Sequence, residues 1–147
     1  MNILFVCRGN TCRSVLAQYI AVYLAKQHPI LLEHVFRSAG VQVWPGQSAS
    51  EHALEVLSKR YGIDAVSHQS SQLDEELIAW ADKIYTMTPA RKLQITDRFP
   101  VAIPKLELLS DRVPLEDPIG GDLEEYAALG DMIEDALMLR FNQLELL

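Results

Sequence analysis

Apolar and polar positions alternate in blocks along this chain. The first block, Asn2–Val6, carries the run Ile3-Leu4-Phe5-Val6 and gives way to a glycine-containing loop. A short, continuous apolar run of this kind fits a strand buried on both faces of a parallel sheet. From Ser14 onward the apolar positions fall at Leu16, Ile20, Val22, Tyr23 and Leu24. They predict a helix capped by Ser14 and stopped at His28-Pro29. His34–Ser38 reads as a second strand ending at Ala39-Gly40, and Val41–Ser50, with Trp44-Pro45-Gly46 inside it, as a loop. Ser50-Glu51 opens a helix that runs to about Arg60 and is closed by Gly62. The spacing of Leu73, Leu77 and Trp80 predicts a helix over Ser71–Ala81. A third strand follows at Lys83–Met87, a helix at Pro89–Phe99, a fourth strand at Pro104–Leu108, and a loop over 110–121. A long amphipathic helix, Asp122–Leu144, ends the pattern.

Strands alternating with helices predict an α/β fold, a three-layer sandwich in which a four-stranded parallel sheet carries helices on both faces. The functional crevice of such a sheet lies at the carboxyl ends of its strands. At 147 residues, 49% apolar and 22% charged, the chain is expected to form a single globular domain over 1–147. Its net charge of −7 argues against a nucleic-acid coat or an anionic-membrane binder, although a local basic pocket stays open to it. The apolar stretches fall far short of a membrane span, and the N-terminus lacks the basic and apolar regions of a signal peptide. With only two cysteines, a cytoplasmic protein is expected, with no nucleic-acid or membrane partner.

Those two cysteines stand in the stretch VCRGNTCRS, Val6 to Ser14, directly after the first predicted strand. A metal knuckle would need further Cys or paired His ligands, and the chain has neither at ligand spacing. An ATP-binding loop would need Lys after its last glycine. Two buried, inert thiols would account for the cysteines, but not for the polar residues between and after them. A strand passing through a tight loop into a helix presents successive backbone N–H groups, which is an anion site. Gly9 and Asn10 tolerate the positive φ that such a loop needs. Arg13 would bring a planar fork of donors to the same anion, and Ser14 could donate to a thiolate at Cys7. The positive potential there favours that thiolate, so the residues point to covalent phosphoryl transfer through Cys7.

Cys, five residues, Arg, then Ser, at the extreme N-terminus of a short α/β chain, resembles the low-molecular-weight protein tyrosine phosphatases over nearly all 147 residues. The resemblance implies that Cys7 is the nucleophile and Arg13 the phosphate clamp. Arg8, Gly9, Asn10, Thr11, Cys12 and Ser14 complete the phosphate-binding loop. It assigns the general acid to an Asp-Pro pair near the C-terminus, here Asp117-Pro118 in LEDPIGGD; proline restricts the residue before it and so helps aim the carboxylate. Ser38 in RSAG and His68 in VSHQS match the polar network that holds the loop. Cys12 matches a second cysteine that pairs with the nucleophile under oxidation and protects it.

The departures bear on substrate. Val15 stands where the family's helix usually starts with proline, so the start of that helix is expected to be less fixed. Arg8 takes a place where a small or apolar residue is common, and either adds positive charge at the rim or points to solvent. Ile119-Gly120 follows the Asp-Pro pair where other members carry aromatic residues. Trp44 is expected to line the cleft, with Ile119 and Thr11. Thr11 resembles the bacterial protein arginine phosphatases, whereas phosphotyrosine members tend to have Ile. The resemblance therefore implies a phosphoprotein phosphatase acting on phosphotyrosine through a cysteinyl-phosphate, or alternatively on phosphoarginine. An arsenate reductase and a silent anion-binding module are more distant alternatives. The implied partner is a phosphorylated protein, and neither cofactor nor metal is called for, because Arg13 and the loop amides supply the charge stabilisation.

Overall fold

The strand β1 (Asn2–Cys7) is apolar throughout because both of its faces are covered. Ile3, Phe5 and Cys7 enter one core and Leu4 and Val6 the other. A computed structural model describes residues 1–118 and 120–144 of the chain. In it β1 pairs in parallel with β2 (Val35–Gly40) on one side and β3 (Lys83–Thr86) on the other, and β3 pairs with β4 (Leu106–Leu108). The order is β2-β1-β3-β4. The chain leaves β1 toward one edge and returns past it to build the other, so the crossovers diverge at the carboxyl end of β1, the topological switch point where parallel sheets hold ligands.

One face of the sheet is covered by α1 (Arg13–Gln27), α2 (Glu51–Tyr61) and α5 (Leu123–Gln143). Leu16, Ile20, Val56, Leu57, Ile133, Leu137 and Phe141 are buried there against Phe5, Phe36 and Tyr85. The rings of Phe5, Phe36 and Phe141 form a connected series, with centroids 6.4 and 5.8 Å apart. The other face is covered by α3 (Glu75–Trp80), α4 (Pro89–Arg98) and a 3-10 turn over Pro100–Lys105, through Leu77, Ile78, Ile95 and Ala102. Among the described residues no helix is long and apolar enough to cross a membrane.

The block pattern locates every strand and five helices, with three differences. The predicted helix over Ser71–Ala81 begins only at Glu75. Gly40 N donates to Ser71 O, Leu73 N donates to Gly40 O, and a parallel bridge joins Gly40 to Gln72, so 71–73 run extended beside the end of β2. Leu73 is buried from that extended segment, which produces helical spacing with Leu77 by coincidence; Asp74 then caps the helix by accepting from Leu77 N at 2.8 Å. The fourth strand is shorter than Pro104–Leu108 because the 3-10 turn occupies residues through Lys105. Ser14 does not cap α1: that helix has no side-chain cap, and Ser14 lies inside its first turn with its hydroxyl turned to Cys7. Val15, in place of the family's proline, is fully buried in that turn, so apolar packing fixes the helix where a ring would otherwise do so.

Candidate active site

The loop between β1 and α1 curls because five of its carbonyls are held by groups outside its concave side. Cys7 O accepts from Val41 N (3.1 Å), Arg8 O from Gln42 N (2.9 Å), Thr11 O from Ser50 N (2.8 Å) and Cys12 O from Leu16 N (2.8 Å). Asn10 O accepts from His68 Nε2 at 2.9 Å. In a trans peptide the N–H points opposite to the C=O, and no cis bond interrupts the described chain. Turning these carbonyls outward therefore turns the amides of Arg8, Gly9, Thr11, Cys12 and Arg13 toward the concave side, which is the donor arrangement an oxyanion needs.

Asn10 is the centre of this construction. It alone among the non-glycine described residues has positive φ, at 55°. It is fully buried, and each polar atom of its side chain is used. Nδ2 donates to Ser14 Oγ (2.8 Å) and Ser38 Oγ (2.9 Å), while Oδ1 accepts from Ser71 N (2.9 Å). Because Ser14 Oγ accepts from Asn10, its own hydrogen is left to donate to Cys7 Sγ, 2.9 Å away. Ser38 likewise accepts from Asn10 and passes its hydrogen to Gln18 Oε1 at 2.5 Å. The network is thus directed toward a thiolate on Cys7. Gly9 has no part in the positive-φ turn: its φ is ordinary, and a Cβ there would meet only Thr11 Oγ1, at 3.8 Å. Gly40 is the glycine the loop requires. A Cβ on it would lie 2.6 Å from Arg8 O and 2.9 Å from Asn10 N.

Arg13 is buried, 5% exposed, and joins this loop to the segment after β4. Its Nη1 donates to Leu115 O at 3.2 Å, and its Nη2 lies 3.6 Å from Asp117 Oδ2. Arg140 on α5 anchors the root of the same segment by donating to Leu108 O and Leu109 O. Cys7, Arg8, Gly9, Thr11, Cys12, Arg13 and Asp117 line one cleft of about 350 Å³, and Trp44 stands at its rim, 81% exposed. That indole is not packed down over its own loop. Ile119 lies outside the described residues.

The far wall comes from residues that the sequence pattern does not single out for the cleft. Ser50, the cap of α2, and Tyr126 of α5 both line it. Burial, the Cys12 charge and a Cys12 contact raise the Tyr126 phenol above its usual value, opposed by a hydrogen bond with Ser50. His52 lies over Tyr126, ring centroids 4.9 Å apart. Cys12 is pushed up to about 12, first by burial and then by the charges of Cys7 and Asp117, so it is a thiol at neutral pH. Both cysteines are free.

A backbone cradle, a cysteine with a directed donor, an arginine and a carboxylate together equip the cleft for covalent transfer of a tetrahedral oxyanion. The sequence model of the low molecular weight phosphotyrosine protein phosphatase family matches residues 2–145. A protein-arginine-phosphatase of Geobacillus stearothermophilus is 43% identical over 138 residues, 90% of this chain and 88% of that protein. The low molecular weight protein-tyrosine-phosphatase PtpB of Staphylococcus epidermidis is 34% identical over 129 residues, 86% of each chain. A solved structure of the YwlE arginine phosphatase, a mutant with a phosphorylated active-site serine, superposes with a TM-score of 0.90 at 34% identity, covering 99% of this chain and 96% of that one. With fold, loop and whole-length match in agreement, the chain belongs to the low molecular weight phosphotyrosine protein phosphatase family and is a cysteine-dependent protein phosphatase.

Proposed function

We propose that the chain dephosphorylates proteins through a phosphocysteine on Cys7, with phosphoarginine as its preferred substrate. The observation that carries the chemistry is the Ser14 hydroxyl held 2.9 Å from Cys7 Sγ beneath a loop of inward amides. In the first step Cys7 Sγ attacks phosphorus in line, an S–P bond forms, and the bond to the leaving nitrogen or oxygen breaks. Asp117 gives its proton to that atom, while Arg13 and the amides hold the equatorial oxygens. In the second step the Asp117 carboxylate takes a proton from water as the water oxygen attacks phosphorus. Inorganic phosphate leaves, and Cys7 returns as a thiolate. We place this chemistry in a reducing cytoplasm, where a nucleophilic thiolate stays unoxidised.

The preference rests on hydrogen-bond inventory. A phosphorylated guanidine carries N–H donors beside its phosphorus, and a phosphotyrosine ring carries none. The wall offers hydroxyl acceptors at Thr11, Ser50 and Tyr126. Ser50 and Tyr126 already share hydrogen bonds with each other and with Cys12, so the group an apolar ring deprives of a partner is the half-buried Thr11 hydroxyl, at about 1 kcal/mol, the low end for an unsatisfied group. Phosphotyrosine remains the second reading, and Trp44 favours it, since the exposed indole at the rim offers a face for an aromatic ring. Wild type, Cys7→Ser and Thr11→Ile assayed on matched phosphoarginine and phosphotyrosine peptides separate the two. The wild type is expected to prefer phosphoarginine, Thr11→Ile to shift toward phosphotyrosine, and Cys7→Ser to turn over neither. Wild-type preference for phosphotyrosine moves the reading to the second substrate, and turnover by Cys7→Ser overturns the mechanism.

A further inference from the structure

The mouth of the cleft is basic on a chain that is acidic overall. Of 13 lysines and arginines set against 20 aspartates and glutamates, three arginines gather here. Arg13 is committed to the loop, with Leu115 O and Asp117 beside it. Arg8 lines the cleft, exposed, and forms no ion pair among the described residues. The third, Arg91, belongs to the first turn of α4, whose capping residue Thr88 accepts from Arg91 N. The sheet brings it here: Val6 pairs with Thr86, so β3 delivers Met87 and the start of α4 alongside Cys7. Met87 O accepts from Leu115 N, and Leu115 O accepts from Arg13, which ties the start of α4 to the phosphate loop through two hydrogen bonds.

Arg91 stands beside the phosphate seat and is not one of the residues lining it. Its Nη1 donates to Gln94 Oε1, three residues further along α4, and its Nε is buried with no partner among the described residues. Burial first, and then the like charges of Arg13 and Arg8, pull its guanidinium below the usual arginine range; Cys7 and Asp117 act in the opposite sense. A half-buried cation pressed by two other cations is stabilised by any anion that comes between them. The phosphoryl group does not take that place, because the amides and Arg13 already surround it. We propose that Arg91, together with Arg8, forms a second anion subsite beside the phosphate loop, which takes the carboxylate of an acidic residue flanking the phosphorylated side chain of the substrate. This rests on the phosphoprotein phosphatase reading, and holds for either phosphorylated residue.

The test uses three phosphopeptides that differ only in the residues flanking the phosphorylated one: aspartate, asparagine or lysine. The readout is the ratio of kcat/KM between aspartate and asparagine peptides, so that any change common to all substrates cancels. Wild type is expected to favour aspartate roughly three- to tenfold, the size of an exposed to half-buried ion pair. The ratio should fall toward one in Arg91→Ala, hold in part in Arg91→Lys, and drop below one in Arg91→Glu, for which the lysine peptide should become the best of the three. Raising the salt from 50 to 300 mM should shrink the wild-type ratio. A parallel binding measurement with the Cys7→Ser variant reads the same preference without turnover. An even wild-type ratio, or a preference that survives in both Arg91→Ala and Arg91→Glu, overturns the subsite. If no peptide is turned over, the phosphatase reading fails, while the Cys7→Ser binding ratio still decides the subsite.

Discussion

Replacing Asn10 tests the construction of the loop most directly, because the two things it supplies can be removed separately. Asn10→Gly keeps a residue at ease with φ of 55° and removes the three side-chain hydrogen bonds to Ser14, Ser38 and Ser71. At about 0.5–1.5 kcal/mol each, their loss destabilises the fold by roughly 1.5–4.5 kcal/mol, toward the upper end because all four groups are buried or half-buried. Asn10→Ala loses the same bonds and keeps a Cβ in the left-handed region, which costs about 1–2 kcal/mol relative to glycine at that φ. Part of that difference is offset, since glycine costs roughly 0.4–1 kcal/mol through its freer unfolded chain. Alanine should therefore be the less stable of the two, by up to about 1.5 kcal/mol. Urea unfolding measures the stability, and kcat/KM on an aryl phosphate measures the consequence. Without Asn10 Nδ2, the Ser14 hydrogen is no longer directed at Cys7, so both variants should lose activity even at temperatures where they are fully folded. Both variants unfolding within about 0.5 kcal/mol of wild type, or folded variants with wild-type rates, would refute the argument that Asn10 organises the site.

Three other outcomes follow from the same geometry. Gly40→Ala, whose Cβ would lie 2.5 Å from Val43 Cγ2 and 2.6 Å from Arg8 O, should disturb the loop and cost about 1–3 kcal/mol by unfolding, the range of an overpacked site; Gly9→Ala, with nothing nearer than 3.8 Å, should be mild in the same assay. Asp117→Asn should slow turnover about 10²–10⁴-fold on a peptide substrate and much less on p-nitrophenyl phosphate, whose leaving group hardly needs a proton; equal losses on both would contradict a general acid. Cys12, held up to about 12 against an ordinary 9.0, binds its proton more tightly folded than unfolded, so its contribution to stability is complete below pH 9 and is lost as the pH climbs from 9 toward 12. Thermal unfolding across that range should show a loss that is smaller in Cys12→Ala, the remainder coming from raised phenols such as Tyr85 and Tyr126, and mass spectrometry after brief iodoacetamide treatment at pH 7.5 should find Cys12 unmodified.

What could be read from the sequence is what the chain states locally. A buried parallel strand must be a continuous apolar run, so Ile3-Leu4-Phe5-Val6 announces β1, and the loop from Cys7 to Arg13 that lines the cleft is contiguous, so its residues stand together in the sequence. Asp117 was reachable through a dipeptide, Asp-Pro, that limits its own backbone. Where the reading slipped, non-local pairing had overruled a local pattern. Leu73 sits at helical spacing from Leu77, but its backbone answers to Gly40, thirty-three positions away in the chain. Ser14 is a good cap by type, yet a buried sulfur and Asn10 claim its hydroxyl.

The residues the pattern missed share one property, which is that their meaning arises only after the sheet has formed. Gly40 looks like an ordinary strand end; its lack of a side chain matters because the end of β2 lies against the backbone of Arg8 and Asn10. Tyr126 reads as one apolar position of an amphipathic helix, and its hydroxyl acquires chemistry because α5 packs beside α1 and α2 and brings it to Ser50 and Cys12. Arg91 reads as a solvated cation on a polar helix until the pairing of β3 with β1 sets α4 beside Cys7. The division has a physical basis. The groups that cradle the phosphate must lie within one tight loop to be held to a fraction of an ångström, so they are contiguous in sequence, while Asp117, the proposed general acid, is brought beside them through Arg13. Groups that select a substrate need only reach the rim, and any element ending at that edge of the sheet can supply them. Specificity in this fold is therefore expected to be written in Thr11 and in scattered positions such as 44, 50, 91 and 126, and catalysis in the short run from 7 to 14 together with Asp117.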